Sequence, residues 1–167
     1  MKIIKSAIMI TGLCMAATPA FAAQESGNAG AEVINPISVT AANDISFGTF
    51  VANTASVGYV TIEPENIRSQ CSVASCTGLF SPSTFNVTGE PGQAVNVSHI
   101  GDSLNPVTFQ LTDGTNIITF GLILHTPVLT LDAAGAGSFN IGARLRIPAN
   151  TPAGNYSGNY WVQVEYQ

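Results

Sequence analysis

Charged residues are scarce in this sequence, and basic residues are the scarcest. Only 9% of the 167 residues are charged, with five Lys or Arg against ten Asp or Glu. Phosphate backbones and anionic lipid surfaces are bound through clustered cations, and the few basic residues here are scattered along the chain. We therefore expect no nucleic-acid partner and no anionic membrane surface as a partner.

The residue types that usually carry catalysis or bind metals are also few. His99 and His125 are the only histidines, and neither has other ligand types near it at metal-binding spacing. The segment GNYSG at 154–158 lacks the spacing of a nucleophile elbow, because Ser157 directly precedes Gly158. No nucleophile, base and orienting residue form a pattern. We expect a structural or binding module with no enzymatic activity, no metal and no cofactor.

Hydrophobic runs are short, and the one that stands out lies at the start of the chain. Lys2 and Lys5 precede an apolar stretch at 7–17, and Ala20-Phe21-Ala22 forms a small-x-small cleavage site. This is the pattern of a secretory signal peptide, and the stretch is shorter than the roughly 20 residues of a membrane span. We predict a signal peptide over 1–22. The mature chain then has no membrane span, passes through the periplasm, and ends at the cell surface or outside the cell.

The sequence has only three cysteines. Cys14 lies in the predicted signal peptide and is removed with it. Cys71 and Cys76, in CSVASC, are an even pair in an exported chain, which indicates a disulfide. Their four-residue separation fits neither a C-x-x-C redox motif nor a zinc site. Because the closed loop is short, the expected stabilisation is only roughly 2 kcal/mol.

Short runs of alternating apolar and polar residues fill most of the chain. Turn residues separate them, as in EPG at 90–92, DG at 113–114 and DAAGAG at 132–137. No stretch has a useful amphipathic helical period. The pattern predicts an all-β, immunoglobulin-like sandwich of about eight to nine short strands over 43–167. The nearly continuous apolar run NIITFGLILH at 116–125 predicts a strand that is covered on both faces.

An extension precedes the predicted sandwich, over residues 23–42. Its first part, AQESGNAG at 23–30, is polar and contains glycine, so we expect it to be flexible. Its second part is extended and apolar on one side, and Pro36 within it cannot donate a ladder hydrogen bond. The segment therefore belongs at a sheet edge or is a strand added from outside. Its apolar residues of one parity are Ala31, Val33, Ile37 and Val39.

The chain ends on GNYSGNYWVQVEYQ, an alternating strand with a tyrosine one residue before the end. Gly154 opens this stretch, and its alternate apolar residues include Tyr156, Tyr160, Val162, Val164 and Tyr166. The pattern predicts a strand of fixed register. We expect it to pair on both sides and to lie centrally in a sheet.

This ending resembles the terminal strand of chaperone-usher pilus subunits. That family has a tyrosine next to last and a glycine fourteen residues from the end, the positions of Tyr166 and Gly154 here. PAGNYSGNYWVQVEY at 152–166 is similar to the P-A-G-x-Y ending of the spore-coat-U-like domains of archaic pili. Over residues 33–167 the chain also resembles the secreted β-domain known as domain of unknown function 4402. The segments that carry this resemblance are DISFGTF (44–50), VGYVTI (57–62), FNVTG (85–89) and NIGARLRIPANTPAGNYSG (140–158).

The resemblance implies an incomplete sandwich that lacks its last strand. In such pilus subunits a strand of a periplasmic chaperone fills the resulting groove, and the N-terminal extension of a neighbouring subunit later replaces it. The implied partners are a chaperone, an outer-membrane usher and identical or related subunits. The implied donor residues are Ala31, Val33, Ile37 and Val39. The implied pairing residues are Gly154, Tyr156, Tyr160, Val162, Val164 and Tyr166. The expected function is a structural subunit of a fimbria-like surface fibre.

An alternative interpretation keeps the leading segment inside its own domain. If Val33, Ile37 and Val39 form the first strand of the same sandwich, the fold is complete in one chain. The protein would then be a self-contained secreted module for binding or cell adhesion, with an unassigned ligand.

Overall fold

The computed structural model describes residues 24–65, 69–99 and 108–167, and within these ranges the chain is all β. The predicted signal peptide at 1–22, with Cys14, lies outside the described residues. The chain divides into two units, Met1–Glu32 and Val33–Gln167. Residues 24–32 of the first unit are exposed and form no strand. No helix within the described ranges is long and apolar enough to cross a membrane.

The second unit contains the strands, numbered here in chain order. They are β1 (Ser38–Asn43), β2 (Ser46–Val51), β3 (Gly58–Ile62), β4 (Ser69–Cys71), β5 (Ser75–Ser81), β6 (Ser83–Thr88), β7 (Ala94–His99), β8 (Thr108–Thr112), β9 (Ile117–Ile123), β10 (Val128–Thr130), β11 (Ala136–Ile147) and β12 (Val162–Tyr166). The described part thus has more strands than the eight or nine expected, in part because β4 and β10 have only three residues each.

Seven antiparallel strands form the first layer, with the long β11 at its centre. The first half of β11 pairs with β6, and its second half pairs with β3 and with β9. The layer continues outward to β1 beyond β6, to β4 beyond β3, and to β8 beyond β9. Along β11 the buried residues alternate with exposed ones, as expected for a sheet with one face against a core.

Two small sheets form the second layer, and each covers one half of the first. The sheet β10-β7-β12 packs over β6 and the first half of β11, around a core that includes Val87, Val95 and Ile141. The pair β2-β5 packs over β3, β8, β9 and the second half of β11, around Val60 and Leu145. The predicted all-β sandwich is confirmed, and its core has two clusters.

The apolar run at 116–125 was expected to form a strand that is buried on both faces. Its strand β9 pairs on both edges, with β8 and with β11. Only one face is fully covered, because Ile118 and Phe120 are each 2% exposed while Ile117 is 55% exposed. The prediction of cover on both faces was therefore wrong for the start of the strand, since an antiparallel sheet can leave one face to solvent.

Candidate functional site: an open groove beside the last strand

The second layer is interrupted between β2 and β12. Among the described residues, β2 pairs only with β5 and β12 pairs only with β7. Each strand therefore has one edge without a ladder, and such an edge is a template for another strand. The sequence predicted that the last strand pairs on both sides, whereas the structure places it at the edge of its sheet.

A groove of about 1070 Å³ lies at this interruption. One wall consists of residues 44–52, which include β2, and the other consists of residues 150–160, which lead into β12. We refer to this feature as the open groove. Its floor consists of core residues of the first layer, namely Phe85, Leu111, Ile118, Phe120 and Leu145. An apolar floor beside the free edge of β2 is suited to an extended chain whose alternate side chains point inward.

The wall at 150–160 is attached at separate points. Ser157 and Thr112 exchange two backbone hydrogen bonds, of 2.8 and 3.0 Å, as an isolated bridge. The next residue, Gly158, lies so close to β8 that a Cβ atom would be 2.0 Å from the carbonyl oxygen of Gln110. The glycine in the alternating pattern is therefore required by a close backbone approach.

Tyr160 anchors this wall where the two core clusters meet. Its ring makes edge contacts with Phe85, Phe109 and Phe120, each at 6.2 Å between centroids. Such arrangements are favourable beyond the burial of area. Burial also raises the pKa of the Tyr160 phenol above its ordinary value, so the side chain stays neutral and acts as a packing residue.

The predicted pairing residues fall into two groups in the structure. Gly154, Tyr156 and Tyr160 line the open groove. Val162, Val164 and Tyr166 belong to β12 and pack against the core under β10-β7-β12. The sequence did not indicate that β2 forms the opposite wall, because the segment DISFGTF at 44–50 indicates a family resemblance and not which strand edge faces the groove.

The candidate donor residues are also divided. Val39 lies in β1, where it pairs with Val87 of β6, and Ile37 packs against the same core. Val33 is 95% exposed, and Ala31 is exposed. Strand β1 begins at Ser38, inside the range 23–42 predicted to be the extension. Ile37 and Val39 thus pack against the core of their own domain. Of the four candidate donor residues, Ala31 and Val33 are the exposed ones that precede β1.

The disulfide between Cys71 and Cys76 is confirmed. Cys71 ends β4 of the first layer, and Cys76 lies in β5 of the second. The bond therefore tethers the β2-β5 pair, and with it one wall of the open groove, to the first layer.

A group of one histidine and two glutamates, which the sequence did not indicate, lies elsewhere on the surface. His125 Nδ1 is 2.8 Å from Oε1 of Glu65, and Nε2 is 3.7 Å from Oε2 of Glu63. The hydrogen bond with His125 is the main cause that lowers the pKa of Glu65. Within the described ranges no group of three or more His, Cys, Asp or Glu residues is arranged to hold a metal ion.

The architecture defines a two-layer β-sandwich with an open groove between the parts of its second layer. The chain belongs to the family described as Domain of unknown function (DUF4402), whose model matches residues 37–166. The match includes β1, both walls of the open groove and β12. Comparisons with curated proteins and with solved structures found no match.

Proposed function

We propose that the protein is a structural subunit of a bacterial surface fibre and that it assembles by strand addition. The observation that carries the proposal is the open groove, with the free edge of β2 on one side, the segment 150–160 on the other and core side chains beneath. The resemblance of the C-terminal strand to pilus subunits supports the same function. An added strand would pair with the free edge of β2 and would lie along the wall at 150–160.

Backbone hydrogen bonds would supply most of the stability of the junction. Each ladder hydrogen bond contributes about 0.5–1.5 kcal/mol net, and each buried branched aliphatic side chain about 1.5–3 kcal/mol. Strand β2 has six residues, so a strand along its free edge can form several such bonds. The cost of ordering an extended segment offsets part of this gain.

We propose residues 24–34 of a second copy as the strand that enters the groove. Gly27, Ala29, Ala31 and Val33 share one parity, and polar residues separate most of them. This segment ends before β1, which is already paired within its own domain. Before assembly, a periplasmic chaperone would supply the strand, and an outer-membrane usher would exchange it for that of the next subunit.

The test uses the full chain, exported by a bacterial host and purified. Unheated SDS gels and light scattering should show multimers that dissociate on heating, and deletion of residues 24–34 should leave a monomer. Val33→Asp should block assembly because it places a charge in the groove. Ile34→Asp is the matched control, since its side chain has the opposite parity. Assembly that survives the deletion would overturn the proposal.

The groove itself can be tested independently. Ala41 lines the open groove, whereas the adjacent Ala42 does not, and both are exposed. Ala41→Trp should obstruct the incoming strand and reduce multimers, while Ala42→Trp should assemble normally. Circular dichroism and melting curves establish that both variants are folded. Equal assembly by the two folded variants would exclude the open groove as the acceptor.

The pairing of β1 with β6 favours a second candidate function, a self-contained module for binding or adhesion. In that case the purified protein is a monomer with or without residues 24–34. Hydrogen exchange gives a further distinction, because assembly should protect residues 31–34, whereas residues 38–41 are paired within the monomer.

A further inference from the structure

A second cavity lies on the outer face of the first layer, and it shares no lining residue with the open groove. Its volume is about 770 Å³, within the usual range for small-molecule sites. Strands β3, β4, β9 and β11 contribute to it. The residues that line it include Tyr59, Thr61, Glu63, Gln70, Ser72 and Arg144.

The guanidinium of Arg144 lies over the ring of Tyr59. The guanidinium carbon is 4.2 Å from the ring centroid, a distance at which the cation and the aromatic face attract each other. The Tyr59 backbone is fixed in turn by Ser72, whose Oγ accepts a hydrogen bond of 2.9 Å from the Tyr59 N–H. Stacking reduces the freedom of the guanidinium and leaves the N–H groups at its edge available to a ligand.

The charge around Arg144 is unusual for this chain. The net charge of the sequence is −5, yet Arg144 and Arg146 follow one another on the same face of β11. Both side chains are exposed. None of the salt bridges found in the described part of the chain involves Arg144. An arginine that is already stacked and lacks a carboxylate partner is suited to bidentate recognition of a carboxylate.

The other residues that line the cavity further limit the chemical class of ligand that can bind. Thr61, Glu63 and Gln70 offer a hydroxyl, a carboxylate and an amide. The Glu63 carboxylate, which lies 3.7 Å from His125 Nε2, disfavours a ligand with more than one negative group and accepts hydrogen bonds from neutral hydroxyls. The cavity thus combines one guanidinium group, an aromatic ring and several side chains that can form hydrogen bonds with hydroxyl groups.

We propose that this cavity binds an acidic sugar, a hydroxylated ring with one carboxylate such as a uronic acid residue of a polysaccharide. Arg144 binds the carboxylate, and Glu63 and Gln70 bind the ring hydroxyls. Tyr59 holds the guanidinium and borders the ring. This site goes beyond strand addition and does not depend on it, since monomer and multimer present the same face of the first layer.

Heteronuclear NMR titration of the labelled, exported protein tests the site. Glucuronate should shift amide signals of β3, β4 and β11 in a saturable way, while glucose and acetate should each bind about tenfold or more weakly. Glucose binding equal to that of glucuronate would overturn the role of the carboxylate. Acetate binding equal to that of glucuronate would overturn the role of the hydroxyls.

Matched variants locate the site. Arg144→Gln should weaken glucuronate binding by about tenfold or more, because it removes the charged fork. Arg146→Gln changes the net charge equally but does not line the cavity, so it should bind nearly as well as the wild type. Spectra of both variants verify the fold. Equal losses in the two variants, or no saturable shifts in the wild type, would refute the proposal.

Discussion

Tyr166, the penultimate residue, donates a hydrogen bond of 2.6 Å from its hydroxyl to the carbonyl oxygen of Asn35. The same hydroxyl accepts a hydrogen bond of 2.7 Å from the backbone N–H of Glu90. The Glu90 carboxylate accepts two more, of 2.9 and 2.8 Å, from the backbone and side-chain nitrogens of Asn35. The end of β12, the turn after β6 and the residue three positions before β1 therefore meet at one point.

Removal of the Tyr166 hydroxyl should weaken this junction. Tyr166→Phe loses two hydrogen bonds, and we expect the free energy of unfolding in urea to fall by about 1–3 kcal/mol. Tyr156→Phe is the control, because the Tyr156 hydroxyl donates one hydrogen bond of 3.0 Å at an exposed site. Its loss should be clearly smaller. A comparable loss in both variants would show that the junction has no special role.

Core truncation should depend strongly on position. Ile141 is 1% exposed and lies in the core beneath β10-β7-β12, so Ile141→Ala should lower the free energy of unfolding by about 2–5 kcal/mol. Ile117 is 55% exposed, and Ile117→Ala should cost less than about 1 kcal/mol. Urea denaturation of both variants gives the comparison. Similar losses would contradict the assignment of the core.

Gly142 should not tolerate a side chain. A Cβ atom there would lie 2.1 Å from the carbonyl oxygen of Ile62 and 2.8 Å from the nitrogen of Pro64. Because both are backbone atoms of a neighbouring segment, Gly142→Ala should lower stability by about 1–3 kcal/mol. Gly137→Ala should lower it less, since its nearest obstacle is the movable Leu129 side chain at 2.9 Å. Melting curves that rank the variants in the opposite order would contradict this packing.

Asp113 should remain ionised at unusually low pH. Hydrogen bonds from the backbone and side chain of Asn116, and from the backbone of Thr115, lower the pKa of Asp113 to about 2. Because folding lowers this pKa, the stabilisation is complete above the ordinary value of about 3.9. It is lost as the pH falls through the folded value.

Carbon NMR titration of the carboxyl groups measures this directly. Asn116→Ala should raise the pKa of Asp113, because it removes the side-chain amide that donates to the carboxylate. Thr115→Ala should leave the pKa of Asp113 unchanged, since only the Thr115 backbone N–H donates to this carboxylate. An ordinary pKa for Asp113 in the wild type would disprove the hydrogen-bonded turn.

A feature could be predicted from the sequence when the residues that determine it are close together in the chain. Turn residues at 90–92 and 113–114 separate strands in the structure as they were expected to do. The turn predicted at 132–137 is shorter, because β11 begins at Ala136. The Cys71–Cys76 disulfide was likewise predictable, because its two residues are close in sequence. Alternation at Val162, Val164 and Tyr166 identified the buried face of the last strand, and these residues do pack against the core.

The candidate site was only half predictable. The tyrosines of one groove wall were identified from the C-terminal pattern, but β2 was not identified as the opposite wall. Periodicity reports which face of a strand is buried, while the edge that pairs depends on segments far away in the chain. The Tyr59–Arg144 pair was missed for the same reason, since these residues meet only when β3 and β11 pair.

By itself, the sequence determined a low-charge, all-β chain with a local disulfide and a strongly alternating last strand. These properties follow from composition and from contacts between near neighbours, which the order of residues specifies directly. Only the tertiary structure decided that β1 pairs with β6, that β12 has one partner among the described strands, and that a groove lies between β2 and the segment 150–160. Strand partners are selected by the combined packing of side chains from distant segments, so the pattern of one segment does not determine which strand it pairs with.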